Sequence, residues 1–331
     1  MTKNNVLFIC FITVIISFTG CKKDATVVAD SSNLSDSNTK PWIAIGLSGK
    51  IVQNISVSKS AMYGTTLRDS LFRSTDNGVS WKALNFKCYY SLVTSQDSTV
   101  LVTHYPLFFS ANFGDTWTDF SPKFYGKVRK NSVNCSAILN NVMIIGMEED
   151  GIFISTDNGN SFTASNNGLQ SPMIYNLMVQ GNNVYAQTLA ATVDGTLKVG
   201  GVFVSTNNGL QWSATGLCSD TTSIECMAGS DKILIAGTMN HGVFISSDKG
   251  VNWTHVISGL TNQYIFSLAI EGSRIFAASR EGEVFLSNDN GVNWSTFSSG
   301  LPKASIFSLA INADTIYAGT GNGIWKRSLQ K

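Results

Sequence analysis

The sequence predicts an all-β protein, a seven-bladed β-propeller, and three repeated features predict it. A motif of the form S-x-D/N-x-G-x-x-W/F occurs six times, a run typical of an inner β-strand occurs seven times, and one further strand precedes the first repeat. Of the 331 residues, 43% are hydrophobic and only 5 are proline, which excludes a disordered or collagen-like chain.

The first twenty residues have the pattern of an export signal. Lys3 precedes an apolar run over residues 6–16, which is too short to span a bilayer as a helix. The run ends in Phe-Thr-Gly-Cys at 18–21, which resembles the bacterial lipobox, whose cysteine is lipidated and becomes the new N-terminus. The resemblance implies that residues 1–20 are a signal peptide and that Cys21 is lipidated. The alternative is ordinary secretion with Cys21 as a free thiol.

Residues 21–40 form a predicted flexible tether between the lipid and the domain. The segment is rich in Ser, Asp, Asn and Thr, so it buries too little apolar surface to compensate for the entropy lost on ordering. Its opening Cys-Lys-Lys-Asp resembles lipoproteins of the Bacteroidota. That resemblance implies an outer-membrane lipoprotein, facing the periplasm or exposed on the cell surface, with the lipid anchor joining it to the membrane.

The six-copy motif sets the length of the repeat. Successive copies begin 36, 45, 50, 41 and 41 residues apart, which suits one four-stranded blade per copy. The Asp or Asn of each copy is, in order, Asp76, Asn112, Asp157, Asn207, Asp248 and Asp289.

The residues of the motif suit a tight turn. Gly tolerates positive φ, and the Ser and Asx oxygens accept backbone N–H groups of the turn. Because Asn112 and Asn207 carry no charge, neither metal binding nor acid catalysis is the general role of the motif. The motif resembles the Asp-box, or BNR repeat, of sialidases, other glycosidases, sortilin-type receptors and photosystem II assembly factors, and that resemblance implies a β-propeller.

The inner-strand run fixes the number of blades at seven. Its last copy, at residues 306–311, is followed by two more strands, after which the chain ends. The strand at residues 42–47, which precedes the first repeat, should supply the missing fourth strand by pairing with residues 323–327. This pairing closes the ring and removes an exposed sheet edge. The predicted propeller therefore spans residues 41–331.

Function is expected on the face opposite the Asp-boxes, where loops vary. The second residue of each inner strand should lie near the mouth of the central channel on this face; the seven are Gln53, Tyr90, Asn134, Tyr175, Glu225, Phe266 and Phe307. They either contact a ligand or pack between blades. The candidate ligand-binding residues are Tyr90, Tyr175, Glu225, His241, Arg280 and Arg68.

The sequence favours a non-enzymatic propeller that binds an envelope protein or a glycan. No nucleotide-binding or hydrolase motif occurs, no cofactor is expected, and no metal-ligand spacing exists because the three histidines should lie in different blades. The alternative is an exo-acting, sialidase-like glycoside hydrolase using Glu225 with Tyr175 or Tyr90. The Arg-Ile-Pro motif of sialidases is absent.

Charge and cysteine content limit the partners further. Lys and Arg number 23 against 22 Asp and Glu, so no net charge draws the protein to nucleic acid. Four cysteines follow Cys21, too few for a disulfide scaffold, and Cys218 and Cys226 are the pair that merits a test for a bridge. We expect a monomer.

Overall fold

The structure, a computed structural model, describes residues 27–28, 40–58, 60–67, 70–84, 92–103, 107–124, 133–193, 195–218 and 223–330. The lipidation candidate Cys21 and the site candidates Arg68 and Tyr90 lie outside the described residues. Within the described ranges, no helix is long and apolar enough to cross a bilayer.

The chain forms a seven-bladed β-propeller, as the sequence predicted. The strands of blades one to three are β3 (Val52–Val57), β4 (Met62–Thr66), β5 (Leu71–Ser74), β6 (Lys82–Ala83), β7 (Val93–Gln96), β8 (Thr99–Val102), β9 (Phe108–Ser110), β10 (Thr118–Asp119), β11 (Val133–Leu139), β12 (Val142–Met147), β13 (Ile152–Ser155) and β14 (Thr163–Ala164). Those of blades four and five are β15 (Ile174–Gln180), β16 (Asn183–Thr188), β19 (Gly201–Ser205), β20 (Ser213–Cys218), β21 (Ile224–Gly229), β22 (Leu234–Thr238), β23 (Val243–Ser246) and β24 (Thr254–Val256).

Blades six and seven complete the ring. Their strands are β25 (Ile265–Glu271), β26 (Arg274–Ser279), β27 (Val284–Ser287), β28 (Ser295–Thr296), β29 (Ile306–Asn312), β30 (Thr315–Thr320), β31 (Gly323–Ser328) and β2 (Ile43–Gly46). The remaining elements are β1 (Val27–Val28), which pairs in parallel with β24, a 3₁₀ turn (Ser121–Phe124), and the β17 (Ala191–Val193) and β18 (Thr196–Lys198) hairpin in the blade-four insertion.

The predicted closure of the ring is confirmed. Strand β2 pairs antiparallel with β31, with Ile43 opposite Lys326 and Ala44 opposite Trp325. Trp42 is buried, its indole N–H donates to the carbonyl oxygen of Phe297 at 2.8 Å, and its ring meets that of Phe297 edge to face. The first strand of the domain thus completes the last blade.

The hydrophobic core is divided into seven clusters, one between each pair of neighbouring blades. The second strand of each blade packs against both neighbouring blades, so both of its faces are buried. In β12, for example, every residue is buried. The connection after β10 contributes to one of these clusters. Phe124, in this connection, is buried against Phe153 and Phe162.

The repeat motif forms the turn between the third and fourth strands of blades one to six. In each copy the Ser hydroxyl accepts from the Gly N–H at 2.8 Å and donates to the Asp or Asn side-chain oxygen at 2.7–2.9 Å. The same Asx oxygen accepts a backbone N–H four residues later. Asn112 and Asn207 make these bonds as the aspartates do. We call this side of the ring the motif face, and the other the opposite face.

Candidate functional site

The second residue of the first strand lies in a β-bulge in six blades of the described chain. In each, the antiparallel register shifts between the first and third residues of the strand, which leaves the second residue without a pairing partner. The bulge residues are Gln53, Asn134, Tyr175, Glu225, Phe266 and Phe307. A bulge redirects a side chain relative to the sheet. Because first strands contact one another around the ring, these positions surround the central channel at the opposite face.

Bulge residues of blades four to seven converge with two residues from neighbouring loops. Arg280 lies in the turn between β26 and β27, and Tyr264 immediately precedes β25; both loops are on the opposite face. We define the mouth cluster as Tyr175, Glu225, Tyr264, Phe266, Arg280 and Phe307.

The two phenylalanines hold the arginine. The Cζ atom of Arg280 lies 4.9 Å from the ring centre of Phe266 and 5.7 Å from that of Phe307, within the range of cation–π attraction. The two rings lie 6.4 Å apart, edge to face, and Tyr264 lies 6.2 Å from Phe266 in the same manner. Arg280 itself is exposed, so its guanidinium is oriented by the rings yet accessible from the opposite face.

Glu225 carries the negative charge of the cluster. Tyr175 donates its hydroxyl to the Glu225 carboxylate at 3.4 Å, a long hydrogen bond, and the Tyr175 side chain is 37% exposed. Burial raises the pKa of Glu225, and the Tyr175 hydroxyl and the Arg280 charge offset part of that rise. Burial and the Glu225 charge likewise raise the pKa of the Tyr175 and Tyr264 phenols. The phenols therefore remain neutral donors at physiological pH.

The remaining described bulge residues pack between blades. Asn134 donates its side-chain amide to the carbonyl oxygen of Ile174 at 3.0 Å, which joins blades three and four. The Oε1 atom of Gln53 is buried. The sequence left ligand contact and blade packing open for all seven positions; the contact of Asn134 with Ile174 shows blade packing at one of them, and ligand contact at the others stays a prediction.

His241 lies apart from the mouth cluster. It is in the turn between β22 and β23, and its carbonyl oxygen lies 2.5 Å from the Nε2 atom of His255 on β24, the fourth strand of the same blade. The prediction that the histidines lie in different blades is wrong for this pair, because one motif repeat contains both. Their rings are 6.3 Å apart, and His255 stacks on Phe244.

A groove adjoins the mouth cluster in blade six. It has a volume of about 510 Å³ and lies between the Glu281–Glu283 turn and the 301–305 connection to blade seven. Glu281 accepts from the Asn262 amide, and Glu283 accepts from the Thr261 hydroxyl at 3.3 Å.

Sequence reasoning missed Tyr264 and the groove. Tyr264 lies outside the repeated strand pattern. Its position two residues before Phe266 was the feature of the sequence that could have indicated its place near the mouth. Cys226 is a buried free thiol, so no bridge joins it to Cys218. Within the described ranges, no three His, Cys, Asp or Glu side chains form a group that would hold a metal ion.

Comparison with solved structures shows the fold; no protein-family model and no curated protein matches the chain. A structure of YCF48 bound to D1 peptide is 15% identical with a TM-score of 0.69, covering 91% of this chain and 100% of that one. YCF48 from Cyanidioschyzon merolae is 15% identical with a TM-score of 0.66, covering 87% and 98%. The GH74 xyloglucanase from Xanthomonas campestris is 14% identical with a TM-score of 0.63, covering 87% of this chain and 54% of that one.

Proposed function

We propose that the chain is a non-enzymatic, lipid-anchored propeller of the cell envelope that binds a protein or a glycan through the mouth cluster. One observation carries the proposal: bulges in four successive blades bring aromatic and carboxylate side chains together beside the Arg280 guanidinium at an accessible mouth. Arg280 and Tyr175 remain exposed there, so their side chains are available for contact with a ligand.

Two further lines of support come from the sequence and the fold. The resemblance of the repeat motif to the Asp-box and of the segment ending at Cys21 to the lipobox supports an exported propeller. The similar structure named YCF48 holds a peptide, which supports a binding role for a propeller of this architecture without catalysis.

A second candidate function is an exo-acting glycoside hydrolase of the sialidase-like type. The contact between the Tyr175 hydroxyl and the Glu225 carboxylate favours it, because a phenol activated by a carboxylate is a possible nucleophile. Against it, the pKa of the phenol is raised, which disfavours the phenolate that would attack a sugar.

A paired assay separates the two functions. Full-length protein purified in detergent is incubated with aryl glycosides and sialosides, and in parallel is used to capture partners from envelope extracts. We expect no turnover, and capture that Arg280→Ala and Tyr175→Phe abolish while Lys82→Ala, an exposed change on blade one, retains it. Turnover that Glu225→Gln abolishes would overturn the non-enzymatic proposal.

A further inference from the structure

The mouth cluster and the blade-six groove are built from adjoining stretches of the chain. Arg280 in the cluster is followed directly by Glu281 in the groove, and Phe307 follows the groove residue Ser305 by two positions. A ligand long enough to pass from Arg280 to Glu281 would therefore reach from the mouth into the groove.

Glu225 and Arg280 leave hydrogen-bonding capacity for a ligand. No ion pair joins them in the described part of the chain, yet each charge acts on the other and on Tyr264 between them. A carboxylate only accepts hydrogen bonds and a guanidinium only donates them. A hydroxyl group does both, so adjacent hydroxyls of one ligand satisfy Glu225 and Arg280 together.

Charge argues against an anionic ligand. An acidic group attracted to Arg280 would lie beside the Glu225 carboxylate. Further along, the groove carries the two carboxylates of Glu281 and Glu283 against the one ammonium group of Lys303, so its formal charge is negative. The hydrogen bonds described for these two groove carboxylates come from the neutral side chains of Asn262 and Thr261. Like charges brought together in a partly desolvated groove disfavour binding.

We propose that the mouth cluster and the blade-six groove bind a neutral oligosaccharide. One sugar packs its apolar C–H face on the part of Phe266 or Phe307 that Arg280 leaves uncovered, while its hydroxyls bond Glu225 and Arg280. The following sugars lie along the groove, where the Glu281 and Glu283 carboxylates accept hydrogen bonds from sugar hydroxyl groups. The inference rests on the proposed binding function and names the ligand class for it.

The test is an oligosaccharide array probed with the full-length protein in detergent. The array carries neutral oligosaccharides of glucose, mannose, galactose and xylose beside sialylated and galacturonic acid oligosaccharides. Neutral hits are then titrated by calorimetry. We expect Glu225→Gln, Phe266→Ala and Glu281→Gln each to weaken binding about tenfold or more, since each removes a charged hydrogen bond or a stacking surface. Lys82→Ala, distant from the site, should retain wild-type affinity.

The other outcomes of the array and capture experiments separate the neutral-oligosaccharide inference from the proposed binding function. Binding of acidic oligosaccharides alone, or an empty array together with capture of an envelope protein that depends on Arg280, overturns the neutral-glycan inference and leaves the proposed binding function standing. An empty array with no captured partner overturns both. Because Glu281 is exposed on a turn, Glu281→Gln keeps the test valid if changes at the mouth impair folding.

Discussion

Six serine hydroxyls organise the turns of the motif face. Each one bonds a glycine N–H and an Asx side chain at once, and in every copy two successive residues have positive φ, as Asn290 at 59° and Gly291 at 89° do. The Asp and Asn copies share the bonds made through Oδ1, but each Asp also accepts a side-chain hydrogen bond at Oδ2 from the residue four positions later. Charge at this position therefore affects how the turn responds to pH and leaves its geometry unchanged.

The double variant Asp76→Asn and Asp157→Asn should lose less stability than wild type as the pH is lowered. Hydrogen bonds from Ser80 and Ser161 lower the pKa of these carboxyls to about 2. A lowered folded pKa gives stability that is present above the unfolded pKa, about 4, and is lost as pH falls through about 2. Melting temperatures measured from pH 5 to pH 2 should fall less in the double variant than in wild type.

A matched control is Asp231→Asn, which changes an exposed aspartate in a turn outside the motif. It should keep the wild-type profile. Equal acid sensitivity in the double variant and in wild type would contradict a role for these two carboxylates in acid stability.

Glu225→Gln should stabilise the protein at neutral pH. Because burial raises the pKa of Glu225, the folded state is penalised when the carboxylate is ionised. This penalty is absent below the unfolded pKa and is fully present once pH rises above the folded pKa. Urea midpoints of the variant and wild type should therefore diverge towards neutral pH and converge on acidification. A variant less stable than wild type at pH 7 would show that the Tyr175 and Arg280 contacts dominate instead.

At the scale of the strand, β2 holds the ring closed. It pairs with β31 and carries the adjoining Trp42 into the cluster between blades six and seven. Burial of a tryptophan of this kind is worth about 3–5 kcal/mol by large-to-small substitution.

Deleting residues 22–48 should therefore lower the melting temperature severely, because it removes both the β2 pairing and the Trp42 contact. Deleting residues 22–39 is the matched control, since it shortens the same segment but retains Trp42 and β2. Differential scanning calorimetry of the two deletions gives the comparison. Equal melting temperatures would rule out closure by β2 as a source of stability.

Strands and turns were predictable because their signals are local. The residues of the repeat motif are the same residues that form its turn. The alternation of residue types in an inner strand, such as residues 306–311, reflects the alternation of its side chains between the two faces of the blade. The bulge at Glu225 was not predictable, because it depends on the register of β21 against β22. Nor was the convergence of Glu225 with Tyr264 and Arg280, whose segments meet only when blades five and six pack together.

At the scale of the whole molecule, the proposed lipid anchor at Cys21 predicts that the protein fractionates with membranes. Cys21→Ser should move the protein from the membrane fraction to the soluble fraction, because the lipid attached to that sulfur is its proposed anchor. Cys10→Ser, within the apolar run, is the control and should remain with membranes. Quantitative immunoblots of fractionated cells provide the measurement. Membrane retention of Cys21→Ser equal to wild type would contradict the anchor.

The closing strand also makes the ring sensitive to the completeness of synthesis. Ile43 is among the first residues of the domain to be translated, and Lys326, its partner, is among the last. Every shorter nascent chain is an open arc with an unpaired strand edge at each end, and the many distant pairings make closure slow. A chain interrupted before Gly323 therefore keeps those edges permanently. Only a chain translated through β31 closes its ring, so translation errors that end the chain earlier yield species disposed to aggregate.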